Sequence, residues 1–156
     1  MSQSQIDQIA LSLNAGRRMT GRCCICAHKV FSSHSIYCRR CYLFSRRMNQ
    51  RGLHADAVKS IWKYVRKHGY VCYYTGIKLD MTDPTSPWYY VFDHRIPGDD
   101  RTVVLTFALL NEMKSDQTDK EFYYNVRQLF KNKYEGCKFR KKRLGHWQRF
   151  GPLSFK

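Results

Sequence analysis

The stretch VFDHRIPGDDRTVVLTFALLNEMKSD, residues 91–116, decides how this chain is read. It begins inside WYYVFD, residues 88–93, an aromatic and β-branched run that favours a strand, so Asp93 and His94 fall at a strand end. IPGDDR is dense in turn residues, TVVL at 102–105 reads as a second short strand, and Thr106 reads as the N-cap of a helix over 107–114. The predicted order is strand, loop, strand, helix. Working outward, Leu53, Val58, Ile61, Trp62 and Val65 recur at helical spacing, with Asp56 near the start and Gly69 as the stop. YVCYYTGIKLD, residues 70–80, reads as two short strands around a turn at Thr75 and Gly76. A last helix is expected over residues 119–132, with Phe122, Val126, Leu129 and Phe130 on one face.

The charge is large and unevenly laid out. The formal net charge is +16, from 28 Lys and Arg against 12 Asp and Glu in 156 residues. Such an excess points to a polyanionic partner, nucleic acid first and an anionic membrane surface second. Residues 16–51 hold nine basic residues and no acid, and residues 127–156 hold ten and one. Nine of the twelve acids lie between Asp80 and Glu121, so the middle is locally negative. A protein that only neutralises phosphates has no reason to set carboxylates between basic arms, whereas one that holds a divalent cation against phosphates does. The bland reading of the same pattern is a solvated acidic loop. No stretch reaches the about 18 apolar residues of a membrane span, and MSQSQIDQIALSLNAG lacks the basic start and long apolar centre of a signal peptide. A cytoplasmic protein with no membrane partner is expected.

Seven cysteines in such a chain point to metal ligands before disulfides. Cys23-x2-Cys26 and Cys38-x2-Cys41 are separated by eleven residues. Each pair sets two thiolates on one tight knuckle, and two knuckles complete the tetrahedral shell of a structural Zn²⁺. Cys24, His28 and His34 are close enough to take the place of one of the four. Cys72 and Cys137 have no partner at ligand spacing and read as buried thiols. Arginines crowd the knuckles, Arg39, Arg40, Arg46 and Arg47 among them, and a zinc loop this short has almost no core of its own. Zinc is expected to supply its stability and the arginines to face phosphate. KFRKKR at 138–143 adds a second basic patch, Lys138, Arg140, Lys141, Lys142 and Arg143.

Hydrolysis of a phosphodiester needs a base to take a proton from water and a hard cation for the charge on the leaving oxygen. Asp93 offers a carboxylate and Asn111 an amide oxygen, both acceptable to Mg²⁺ or Mn²⁺, and Mg²⁺ needs only one or two protein ligands. His94 follows Asp93 on the other face of the strand and can address water. Asn111 and Lys114 are three apart on the predicted helix, so the lysine can grip a phosphate beside the metal. The segment resembles the His-Me finger, or HNH, nuclease family, whose ββα unit puts an Asp-His pair at the end of its first strand and an Asn or His on its helix. It is most similar to the HNH domain of RNA-guided CRISPR effector nucleases, through Cys72, Tyr74, Thr75 and Gly76, then Asp93, His94 and Pro97, then Val104, Leu105, Thr106, Asn111, Lys114, Ser115 and Asp116.

The resemblance spans 45 residues, 72–116, and leaves the zinc module and the last third unmatched. It implies that Asp93 and Asn111 hold the metal and that His94 is the general base. It does not imply RNA guidance, because the chain is too short for guide-binding lobes; free-standing HNH nucleases of phages and mobile elements are the better comparison. The family's middle Asn, which braces the loop and orients the histidine, would fall near Thr102, and no Asn lies between His94 and Asn111. Thr102 or one of Asp99 and Asp100 is placed to brace the loop instead, with a plain turn role the simpler reading for either aspartate. Many relatives staple the unit with two Cys-x2-Cys pairs, whereas only Cys72 stands here.

The expected fold class is α+β: a zinc-ribbon or knuckle module over residues 1–52, a ββα-metal core with flanking helices over 53–132 and a basic tail over 133–156. The expected activity is metal-dependent hydrolysis of DNA, with duplex DNA gripped by the basic arms and by Arg95. Two rivals stay open: a zinc-containing nucleic-acid-binding protein that does not cleave, and a nuclease for RNA or for particular nucleic-acid structures.

Overall fold

The computed structural model describes residues 1–13 and 21–130, of Phe130 the backbone alone. Among them are five helices and one two-stranded antiparallel sheet, a mixed α+β fold. Met1–Thr118 form one compact unit and Asp119–Lys156 a second. The cysteine knuckles and the ββα segment lie in the first unit. No helix among the described residues is long and apolar enough to cross a membrane.

The first helix, α1 (Gln3–Ser12), is absent from the sequence expectations. It starts at a capping box in which the Gln5 N–H donates to the Ser2 hydroxyl and the Ser2 N–H donates to the Gln5 side chain, and it buries Ile6 and Ala10 one turn apart. α2 (Arg39–Gln50) buries Cys41, Phe44, Ser45 and Met48, the i, i+3, i+4, i+7 stripe of a core helix. This corrects the expectation that the zinc segment has almost no core of its own. α3 (Ala55–His68) begins at His54, whose Nδ1 accepts the Asp56 N–H at 3.2 Å, and ends at Gly69 with φ +79°. It buries Ala57, Val58, Ile61, Trp62 and Val65.

These elements meet around Phe44. Its fully buried ring has centroid distances of 5.3 Å to Trp62, 5.1 Å to Tyr70, 5.4 Å to Tyr90 and 5.5 Å to Phe92. One side chain thus joins α2, α3 and the sheet, and Tyr37 stacks on the same Trp62 at 5.8 Å. The sheet pairs β1 (Tyr90–His94) with β2 (Val103–Phe107) in antiparallel register from Tyr90↔Phe107 to His94↔Val103. Next comes α4 (Ala108–Lys114), packed on both strands.

Two expectations change here. Thr106 is not a helix cap but a buried strand residue whose hydroxyl lies 3.4 Å from the Cys72 Sγ. The first amides of α4 find main-chain acceptors instead, Ala108 on the Tyr89 carbonyl at 2.9 Å and Leu109 on that of Pro87 at 3.1 Å, so no side-chain cap is required. Residues 70–80 do not form two strands. A single bridge, Val71↔Lys78, closes a tight turn in which Cys72 N donates to Ile77 O at 2.8 Å and Gly76 N to Cys72 O at 2.9 Å, with Gly76 at φ +71°. The first cysteine knuckle has the same wiring: bridge Arg22↔Lys29, Cys23 N to His28 O at 2.7 Å, Ala27 N to Cys23 O at 3.0 Å, and Ala27 at φ +61°.

In the second unit, α5 (Asp119–Phe130) follows the expected span as far as residues are described, carrying Asp119 and Glu121 in its first turn and Arg127 in its last.

Phe44→Ala should destabilise the protein by about 3–5 kcal/mol in chemical unfolding, as for a large core aromatic. A loss under about 1 kcal/mol would show that the core does not close on this ring.

Candidate functional site

The four cysteines of the two pairs come together. Their Sγ atoms all lie within 4.8 Å of one another, with Cys26 3.5 Å from Cys38 and 3.5 Å from Cys41. Zinc–sulfur bonds of about 2.3 Å imply tetrahedral edges of about 3.8 Å, so the cluster fits a structural zinc ion. Neither Cys24, His28 nor His34 belongs to it. His28 Nδ1 instead lies 3.3 Å from the Cys26 Sγ, in reach to hydrogen-bond that sulfur.

The local structure explains the convergence. The first pair sits on the knuckle closed at Ala27, and Cys38 caps α2 with Cys41 in its first turn. The positive end of the helix lies at the two sulfurs of the second pair. The Tyr70 hydroxyl donates to the Cys41 Sγ at 3.0 Å, tying the cluster to the aromatic core. Four crowded thiols cannot all ionise by themselves. Hydrogen bonds from Cys24, Cys26 and Cys41 hold Cys23 far below the ordinary thiol value, while Cys26 is pushed up to about 11, first by its bond to Cys23. Cys41 is pushed higher still by the same partner. A divalent cation relieves that conflict by holding all four as thiolates.

Arg39, Arg40 and Arg46 are exposed on α2 and Arg47 is half-buried. Arg40 lies over the Tyr70 ring at 5.9 Å and Arg47 over Tyr89 at 5.7 Å, so part of this basic face is also packing. Lys138, Arg140, Lys141, Lys142 and Arg143 lie outside the described residues, as does the tail over 133–156.

At the end of β1, alternation sends neighbours to opposite sides: Asp93 is 6 % exposed, and His94 is half-exposed. Asp93 accepts the Tyr74 hydroxyl on Oδ2 at 2.8 Å, and the Lys114 ammonium lies 3.2 Å from the same oxygen. Lys114 also donates to the His94 carbonyl at 2.6 Å and is fully buried. This position is at odds with the expectation that Lys114 grips a phosphate, because it neutralises the carboxylate and ties α4 to β1. Asn111, half-buried, sits one turn earlier on α4, on the side Lys114 presents to β1.

The loop between the strands is braced without an asparagine. The Thr102 hydroxyl accepts the Ile96 N–H at 3.2 Å and donates to the Asp99 carbonyl at 3.0 Å, while the Asp99 carboxylate caps the Arg101 N–H at 3.0 Å. Asp100, expected as a plain turn residue, faces His94 with Oδ1 2.9 Å from Nε2. With the proton on Nε2 directed at Asp100, the Nδ1 lone pair is left to accept from water. Tyr74 and Asp100 are the site neighbours whose roles spacing alone does not reveal.

For a hard cation the donor set is sparse but chemically suitable. One carboxylate and one amide oxygen match what Mg²⁺ takes while keeping several waters, and a carboxylate has lone pairs beyond those used by Tyr74 and Lys114. No family model, no curated protein and no solved structure matches the chain.

Purified protein should carry about one zinc per chain, and Cys41→Ser should lose it together with the near-UV signal of the buried Trp62. A metal-free protein with an unchanged melting curve would remove zinc from the fold. Lys114→Met keeps the volume but strands a buried carboxylate, so stability should fall by about 3–5 kcal/mol. A fall below about 1 kcal/mol in urea unfolding would mean that water, not Lys114, solvates Asp93.

Proposed function

We propose that this chain is a metal-dependent endonuclease of the HNH type acting on DNA. The observation that carries the reading is the ββα unit, with the buried Asp93 and the more exposed His94 at the end of its first strand and Asn111 on its helix. In this reading His94, oriented by Asp100 at 2.9 Å, takes a proton from a water positioned for in-line attack on phosphorus. The P–O3′ bond breaks as the new P–O bond forms, and the leaving 3′ oxygen takes up a proton, giving 5′-phosphate and 3′-hydroxyl ends. Mg²⁺ or Mn²⁺ held by Asp93 and Asn111 would supply the charge that stabilises the leaving oxygen. Arg39, Arg40, Arg46 and Arg95 carry phosphate-binding charge, consistent with the net +16. The zinc cluster supplies structure, not chemistry.

One observation favours a second reading. Lys114 already balances the charge of Asp93, as in a zinc-containing nucleic-acid-binding protein that does not cleave. Supercoiled plasmid separates the two: the nuclease yields nicked or linear product with Mg²⁺ and none with EDTA, and the binding protein only shifts the plasmid. His94→Ala should reduce cleavage by ~10²-fold or more with DNA affinity nearly unchanged. A variant that retains more than about a tenth of wild-type activity would take the general-base role away from His94.

A further inference from the structure

Beside Asp93 the surface carries a row of rings. Tyr64 on α3 lies 4.8 Å from His68 and 5.8 Å from Tyr73 between centroids, and Tyr73 meets Tyr74 edge-on at 5.2 Å. The Arg95 guanidinium lies over the Tyr73 ring, 5.4 Å from its centroid. Tyr73 is 37 % exposed and Arg95 is exposed, whereas Tyr74 turns inward to donate to Asp93. The row is anchored to rigid elements: the Tyr73 N–H donates to the Leu105 carbonyl of β2 at 2.8 Å, and the Tyr64 hydroxyl to the Cys72 carbonyl at 3.2 Å.

We propose that Tyr73 and Arg95 form a stacking step for an unpaired nucleobase next to the scissile phosphate, so that forked or otherwise single-stranded DNA is preferred over continuous duplex. That this phosphate is cut rests on the nuclease reading; the stacking does not. A continuous duplex keeps both faces of each base covered by its neighbours, so it can meet this patch only through its backbone. A tyrosine ring contributes no charge to a phosphate but offers a face to any unpaired base, and a guanidinium plane does the same while retaining its charge. Arg95 follows Asp93 by two residues, just past the end of β1, and Tyr73 is one ring, Tyr74, from the Asp93 carboxylate, so a base stacked on the pair would lie beside the candidate cleavage point. The net charge of +16 supplies the sequence-independent attraction that brings the strand there.

The test measures binding in EDTA, where no metal-dependent cutting intervenes, of a blunt DNA duplex and of a fork of the same length carrying 2-aminopurine at its first unpaired position. The wild type should bind the fork roughly tenfold or more tightly and quench 2-aminopurine, the scale expected for stacking of one or two bases. Tyr73→Phe should keep both effects. Arg95→Lys, which retains the charge and loses the plane, and Tyr73→Ala should each lose most of the preference, with little change in the salt dependence of binding. Equal affinities for fork and duplex, or an Arg95→Lys variant that still prefers and quenches the fork, would overturn the inference. Arg95→Lys, a conservative change at an exposed position, decides the matter even if Tyr73→Ala fails to fold. Plasmid cleavage with Mg²⁺ is scored separately: cutting without fork preference sinks the stacking step alone, and fork preference without cutting sinks the nuclease reading alone.

Discussion

The placement of α2 is the constraint on which the rest depends. Cys41 and Phe44 are one turn apart on this helix; the first puts its sulfur into the thiol cluster and the second its ring into the aromatic centre. A helix of this length is marginal alone in water, so its position comes from what holds its ends and its face. The thiol cluster holds its N-terminus, and the rings of Trp62, Tyr70, Tyr90 and Phe92 hold its face. Tyr90 and Phe92 belong to β1, the strand that ends on Asp93 and His94. A disturbance at the thiols therefore reaches the candidate site through a short line of packed rings.

The second constraint is electrostatic. Asp93 and Lys114 are both buried, and neither charge tolerates that position without the other. The pair fastens the last residue of α4 to the last two residues of β1, because the same ammonium also donates to the His94 carbonyl. It sets the terms for any cation at Asp93, which must share the carboxylate with Lys114 or draw it away. In the nuclease reading the lysine holds the carboxylate in place for a cation. In the binding-protein reading it is the permanent counter-charge.

Legibility in the sequence followed physical scale. Elements with a local, periodic signal are readable: α3 with Asp56 near its start and its Gly69 stop, the strand–loop–strand–helix order after Trp88, and the two Cys-x2-Cys pairs. Most of what the sequence hides depends on which partners the fold brings together. α2 is the exception: its stripe Cys41, Phe44, Ser45, Met48 is local, but it includes a metal-ligand candidate and a serine and overlaps the Cys-x2-Cys spacing, which obscures the helical period. Thr106 looked like a cap because threonine caps helices, but the carbonyls of Pro87 and Tyr89 had already taken that role. The burial of Lys114 could not be read from its spacing to Asn111, which fixes a face of the helix and not what that face meets. Nor could Asp100 be told from Asp99, since both are turn residues by composition and only the fold turns one toward His94.

The repeated knuckle carries the same lesson further. Residues 22–29 and 71–78 close the same turn with the same two main-chain hydrogen bonds and one left-handed residue, Ala27 in the first and Gly76 in the second. The first offers Cys23 and Cys26 to the cluster, whereas the second has Cys72 and then Thr75 where a second thiolate would stand. The turn survives without metal because other groups restrain it: the Cys72 thiol meets the Thr106 hydroxyl, its carbonyl accepts from Tyr64, and the next amide joins β2. All three partners come from packed elements, so the second knuckle can rest on the core. The first lies against a helix whose start the thiol cluster itself fixes. Cys-x2-Cys spacing therefore marks where a knuckle needs a metal, not where a knuckle is.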